Sequence, residues 1–362
     1  MSARPWNTEQ SLELHEILKQ ITPPDGDARR EAQRRWDACA KPLGSLGLLE
    51  TAICDIAALT GSADVQLLPR AVLVLCADNG VVRQGVTQTD SAVTAAVARA
   101  LARGRSSICC MAARADCRVV PVDMGIRDFP GCEGVLDRRA GNGTGDLSEG
   151  PAMTRQQAEA AIRTGMELVR AERERGTRLL AGGEMGIGNT TTAAAVTAVL
   201  TGSNPERVTG RGAGLSDEGL QRKLAAVRRG IAVNLPDAGD ALDVLAKLGG
   251  FDLAGLCGVF LGGALYRIPV LIDGFPAAAA ALCALRLCPA AGKAMLASHV
   301  SAEPAGALLL RALGKEAFLT AGMRLGEGSG AVAAMPLLDM ALAVYRECYT
   351  FSEGGIAPYR RL

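Results

Sequence analysis

Aromatic side chains make up only 3% of this 362-residue chain. A flat heterocycle bound by it must be gripped by aliphatic groups, Met and backbone rather than by stacked rings. Histidine is rarer still, at two residues, His15 and His299. His15 falls on a charged N-terminal helix and is expected at the surface. The eleven cysteines are an odd number, none at Cys-x-x-Cys spacing, and most lie in apolar stretches. These counts speak against a Cys/His metal cluster and suit buried, reduced thiols in the cytoplasm. Neither sign of charge dominates, with 39 basic residues against 38 acidic ones. No basic stripe with interleaved aromatics occurs, so nucleic acid is not an expected partner. No apolar run of about 18 residues is free of charge and glycine, so no membrane span is expected. Met1 to Gln20 is mixed and polar, without the apolar stretch and small-residue site of a secretory signal.

Alanine and glycine are what the chain has in quantity, with 43 glycines and 49% hydrophobic residues. That profile predicts helices packed closely on a sheet, joined by glycine-bearing turns. The length allows about two domains, or one large α/β domain with an appendage. Roughly the first 60 residues read as helices, one over the charged stretch Asp27 to Ala40 and one capped by Ser45 over Leu46 to Leu59. From Leu68 onward, short apolar runs alternate with longer helical ones. Strands are predicted at Arg70–Cys76, Arg118–Val122, Arg178–Ala181, Pro269–Ile272 and Ala294–Ala297. Being apolar at nearly every position, they suit strands covered on both faces. Helices are predicted between them at Ser91–Arg103, Thr154–Arg173, Thr190–Leu200, Asp217–Ile231, Asp252–Tyr266 and Phe275–Leu287, and the alternation points to a doubly wound parallel sheet of α/β class. Arg127 to Pro151 reads as a long polar loop, and Ala331 to Tyr349 as a long apolar helix.

The predicted strand ends are followed by Asp78-Asn79-Gly80, Asp123-Met124-Gly125, Gly182-Gly183-Glu184, Asp273-Gly274 and Ser298-His299. Asp-Gly can simply turn the chain. Four ends of five combining an acid with glycine favour one convergent site, because ligands bind beyond the carboxyl ends of such strands.

Three glycine-rich segments could carry chemistry. In Gly183 to Thr192, a strand leads through Gly186 and Gly188 into a helix start at Asn189, Thr190 and Thr191. Free amides, the helix dipole and threonine hydroxyls suit a phosphate. The Walker lysine is absent, so this is not an ATP loop. Gly210 to Asp217, with Gly212 and Gly214, precedes a helix carrying Lys223 and could add amides and a charge. In Met323 to Gly330, Glu327 stands between glycines that leave it accessible. The residues alone divide evenly between an exposed acid near a helix cap and a catalytic carboxylate.

Taken with Lys41–Gly47, Ala77–Val81, Gly150–Met153, Gly249–Leu253, Pro269–Phe275 and Ser298–Glu303, in chain order, the segments Gly183–Thr192 and Met323–Gly330 resemble the nicotinate-nucleotide–dimethylbenzimidazole phosphoribosyltransferase family over nearly the whole chain. The resemblance implies a Rossmann-like parallel sheet over residues 66–330. It also implies a small helical domain from both ends (1–65 and 331–362) and a homodimer. It implies transfer of phosphoribose from nicotinate mononucleotide to a benzimidazole in making the cobalamin lower ligand. Glu327 would be the general base, the Glu184 loop would hold the nucleotide, and Lys223 would lie in the site. Where the family pattern reads Ala-Asp-His-Gly, this chain has Asn79, which cannot titrate near neutrality.

Such a transfer needs one carboxylate base and a phosphate cradle, with no metal or cofactor. Amides around Gly186–Thr191, with Gly212, Gly214 and Lys223, are expected to hold the phosphate. Met185 and Leu325 are expected to line the base pocket. Glu184 could be a second acid or could orient the ribose, and Asp78 could contact substrate or brace a loop. Bracing is expected of Asp273 and Glu303, and a structural hydrogen bond of His299. Another phosphate-recognising α/β enzyme, or a binding protein that keeps the pocket, would share the glycine loops but need not carry the whole ordered set.

Overall fold

The computed structural model describes residues 13–360, and expectations for residues 1–12 and 361–362 lie outside it. Its centre is a parallel sheet of β1 (Arg70–Ala77), β2 (Cys117–Gly125), β3 (Leu136–Asp137), β4 (Leu179–Met185), β5 (Val270–Ile272) and β6 (Met295–Ala297). All five predicted strands are present. The unpredicted β3 is a two-residue edge strand inside the stretch expected to be a loop, and both its residues are exposed. A pair that short carries no hydrophobic period.

Every residue of β1 is buried, for a geometric reason. Leu73 and Leu75 face the layer of helices 155–174 and 251–265, whereas Val72, Val74 and Cys76 face a layer containing Trp36, Ile53 and Met335. Alternating side chains of a strand with two covered faces must all be apolar. The exception, Arg70, has both terminal nitrogens 2.8 Å from the Asp339 carboxylate and donates through Nε to the Ala115 carbonyl. Small residues let the helices approach closely. A Cβ on Gly165 would lie 2.0 Å from the Gly255 carbonyl oxygen, and one on Gly258 would lie 1.9 Å from that of Ile162. Helices 107–114, 241–248 and 306–312 were not read from the sequence. They span only two turns or so, too short for a clear helical period.

The two chain ends meet. The Tyr345 hydroxyl, on the helix Ser329–Glu347, donates to the Ala63 carbonyl at 2.8 Å, and its ring lies 5.1 Å from that of Trp36. Further on, the Phe351 amide donates to the Ala38 carbonyl.

The strand order is β3-β2-β1-β4-β5-β6. The chain moves outward from β1 to β3, then resumes on the other side of β1 with β4. Connections leaving β1 and β4 therefore diverge, and they open a crevice at the carboxyl ends of those two strands. In register, Leu75 pairs with Glu184 and Cys76 with Met185.

Candidate functional site

A cavity of ≈270 Å³ occupies that crevice. Of the predicted site residues, Glu184, Met185, Gly186, Gly188, Asn189, Thr190, Gly212, Lys223, Leu325 and Glu327 line it. Asp78, Thr191 and Gly214 are not among its lining residues.

Glu327 reaches the cavity through unusual backbone. Gly326, Glu327 and Gly328 have φ of +90°, +59° and +86° in succession. Glycine adopts this region freely, but a residue with a Cβ is strained there. Three contacts hold the loop in place. The Glu327 amide donates to the Glu184 carbonyl at 3.1 Å. Asp273, just beyond β5, accepts from the amides of Gly328, Gly330 and Ala331 at 3.1, 2.7 and 3.0 Å. Gly183 lets the loop lie on β4, since a Cβ there would stand 2.6 Å from Glu327 C and Gly328 N. The Glu327 carboxylate is nearly buried and accepts from the Ile108 amide at 3.3 Å, at the start of helix Ser107–Arg114.

Glu184 lies beside it. The Asn189 side-chain amide donates to one Glu184 oxygen. Burial first, then the charges of Asp252 and Asp273, push the Glu184 carboxyl well above the usual carboxylate range.

A cationic corner forms another part of the wall. Lys223 is 1% exposed and donates to Thr190 Oγ1 at 2.7 Å. Burial lowers its pKa to about 8, while the charge of Glu303 opposes the shift. Gly212, at φ +54°, brings its loop over both groups, and a Cβ there would meet Thr190 Oγ1 at 2.8 Å and Lys223 Nζ at 3.3 Å. The amides of Asn189 and Thr191 already donate within the turn, to Gly186 and Gly188. Among the described residues, those of Gly188, Thr190, Gly212 and Ala213 have no partner. The unpartnered amides are thus shared between two loops and do not all belong to the first helix turn.

The strand-end acids divide by role. Asp78 accepts from the Arg127 amide at 2.9 Å, and Asp123 from the amides of Gly125 and Ile126. These two brace loops, as Asp273 does. Asn79 is buried beneath the glycine turn, with its amide 3.5 Å from the Ile187 carbonyl, and does not line the cavity. His299 makes the expected structural hydrogen bond, 3.0 Å between Nδ1 and Ser298 Oγ, and also borders the cavity. Glu303 departs from expectation. Its carboxylate braces no loop; it lines the cavity, and Oε2 has no partner. The segment following β6 turns this side chain inward, a direction that spacing does not reveal.

Residues not singled out from the sequence complete the wall. Val86 and Val97 join Met185 and Leu325 as an aliphatic surface, with Leu325 56% exposed at the rim. Gln88 closes the same side by donating to the Gly214 carbonyl. A second cleft, of ≈620 Å³, runs between helix 48–60 and β6, with Arg29, Asp55, Lys293 and Lys315 in its walls. β6 is the strand that borders it, and the start of helix 26–38, at Asp25 and Gly26, also lines it. Among the described residues no helix is long and apolar enough to cross a membrane, and no group of three or more His, Cys, Asp or Glu could hold a metal ion.

Residues 21–356 match a family model described as Phosphoribosyltransferase. A protein of Acetivibrio thermocellus named nicotinate-nucleotide–dimethylbenzimidazole phosphoribosyltransferase is 45% identical over 347 residues, covering 96% of this chain and 99% of its own. One of Salmonella agona with the same name is 43% identical over 333 residues, covering 92% and 93%. The crystal structure of CobT from Thermus thermophilus superposes with a TM-score of 0.87 at 40% identity, over 92% of this chain and 100% of that one.

Proposed function

The chain belongs to the nicotinate-nucleotide–dimethylbenzimidazole phosphoribosyltransferase family, and we propose on that premise that it works as follows. It transfers the 5-phosphoribosyl group of nicotinate mononucleotide to 5,6-dimethylbenzimidazole or a related base. The products are α-ribazole 5′-phosphate, for the cobalamin nucleotide loop, and nicotinate. The observation that carries the assignment of roles is one cavity holding a carboxylate, Glu327, and a separate cation-and-amide corner, Lys223 with Thr190 and Gly212.

The corner takes the 5′-phosphate, with the free amides of Gly188, Thr190, Gly212 and Ala213 as donors. The aliphatic wall of Val86, Val97, Met185 and Leu325 takes the flat base. One ring nitrogen of the benzimidazole attacks C1′ with its lone pair. The C1′–N bond to nicotinate breaks, and its electron pair returns to the pyridine ring. The leaving group departs from a pyridinium as a neutral nitrogen and needs no acid. The second benzimidazole nitrogen loses its proton to Glu327 as the anomeric carbon inverts, a role that contributes about 10²–10⁴-fold. Glu184, whose carboxyl burial pushes well above the usual carboxylate range, shapes the same wall.

The same reading takes 66–330 as the catalytic part and both chain ends as one helical part. It places the protein in a reducing cytoplasm, which suits its eleven free cysteines, as a homodimer. The test is to mix protein, nicotinate mononucleotide and dimethylbenzimidazole and follow nicotinate and nucleotide product by mass spectrometry. Product mass matching α-ribazole 5′-phosphate is expected, and a lack of base-dependent nicotinate release would overturn the reading.

A further inference from the structure

Glu303 is an acid of the cavity wall to which the transfer chemistry assigns no role. Its backbone is held firmly. The Glu303 amide donates to Ser301 Oγ at 3.3 Å, its carbonyl accepts from Gly306 at 2.9 Å, and the preceding amide, of Ala302, donates to Met323 at 2.9 Å. The residue is only 9% exposed, yet among the described residues its carboxylate makes no hydrogen bond, and Oε2 is enclosed without a partner. Gly210 makes room for it, since a Cβ there would lie 1.9 Å from Oε2.

Buried carboxylates are ordinarily satisfied, because enclosing an unpaired charge is costly. Lys223 does not satisfy this one. Its ammonium goes to Thr190, and among the described residues it forms no ion pair with Glu303, although the two groups feel each other's charge. An anion bound at Lys223 would be repelled by a bare carboxylate nearby. An ionised carboxylate can only accept hydrogen bonds. The two groups together therefore specify a ligand with an anionic end followed by hydroxyl donors, which is the layout of a sugar phosphate.

We infer that Glu303 contacts the substrate directly, accepting a hydrogen bond from a ribose hydroxyl of the bound nucleotide. The inference rests on the phosphoribosyl-transfer reading for the identity of the nucleotide. The hydroxyl stands between phosphate and carboxylate, meets the carboxylate oxygen that is not enclosed, and separates the two negative charges. Glu303 then selects ribonucleotides over deoxyribonucleotides, and it fixes the sugar that Lys223 holds only by its phosphate.

The experiment is a chemical double-mutant cycle on binding. Dissociation constants of nicotinate mononucleotide and of its 2′-deoxy and 3′-deoxy analogues are measured by calorimetry for the wild-type protein and Glu303→Gln, with melting curves to show that both are folded. Glu303→Asp, which keeps the charge, takes the place of Glu303→Gln if the latter does not fold. Loss of the contacted hydroxyl is expected to weaken wild-type binding about 10- to 100-fold, the range for a hydrogen bond to a charged group. In Glu303→Gln that penalty shrinks several-fold, while the natural nucleotide binds more weakly. A purely structural carboxylate would weaken all three ligands alike. Unchanged penalties for both analogues in the variant therefore overturn the inference. Coupling in binding without base-dependent nicotinate release overturns the transfer reading alone, and a wild-type protein that binds no nicotinate mononucleotide overturns both.

Discussion

The amide of Glu327 donates to the carbonyl of Glu184 at 3.1 Å, so the two acids of the cavity are tied through main chain. Glu184 sits in β4, paired in register with Leu75 of β1. The sheet therefore sets the height of Glu327, and the loop carrying it has little freedom of its own.

Gly183 is the seat of that arrangement. Gly183→Ala puts a methyl against backbone atoms of Glu327 and Gly328 at 2.6 Å, where no flexible side chain can yield. A loss of about 1–3 kcal/mol is expected from overpacking. Melting curves would register it together with a fall in kcat, and a variant as stable and active as wild type would contradict the packing described.

Glu327→Gln keeps the shape of the loop and removes the base. Turnover, followed as nicotinate release, is expected to fall about 10²–10⁴-fold. KM for nicotinate mononucleotide should change little, because the phosphate is held elsewhere. Near wild-type turnover would remove Glu327 from its role.

Lys223 gives the reaction a basic limit. A lysine is cationic below its pKa and neutral above it, and burial places this one at about 8. The phosphate needs the cation. In a pH series, kcat/KM for nicotinate mononucleotide should hold below about 8 and decline as pH rises through that value. Lys223→Met should flatten the decline and lower kcat/KM about tenfold or more, in line with a lost charge-assisted hydrogen bond.

Asp273 serves three amides with two oxygens. Asp273→Asn leaves one acceptor and brings an NH₂ group toward the same donors. Denaturant midpoints should shift down by the equivalent of about 1–3 kcal/mol at an unchanged slope. A lowered kcat should accompany the shift, because the strained Glu327 backbone loses its anchor. An unchanged midpoint would show that the loop holds itself.

Much of this protein is written locally. The all-apolar β1, the helix Phe275–Leu287 found where its pattern placed it, and the glycines around Glu327 follow from side-chain period and backbone freedom, which neighbours in sequence determine. The ordered motifs also identified the family. What the sequence could not decide is which partners each polar group meets. Asp78 directly follows β1 and Glu303 lies in the segment after β6, yet one braces Arg127 and the other lines the cavity. Glu327 was an even choice as a residue in a glycine loop. It became a positioned carboxylate only because β4 lies beside β1 and Asp273 of the neighbouring strand reaches across. Those contacts join segments far apart in the chain, and burial and unpaired oxygens exist only once the strands have assembled. Tertiary structure therefore decided the site, while the sequence by itself determined the elements from which it is built.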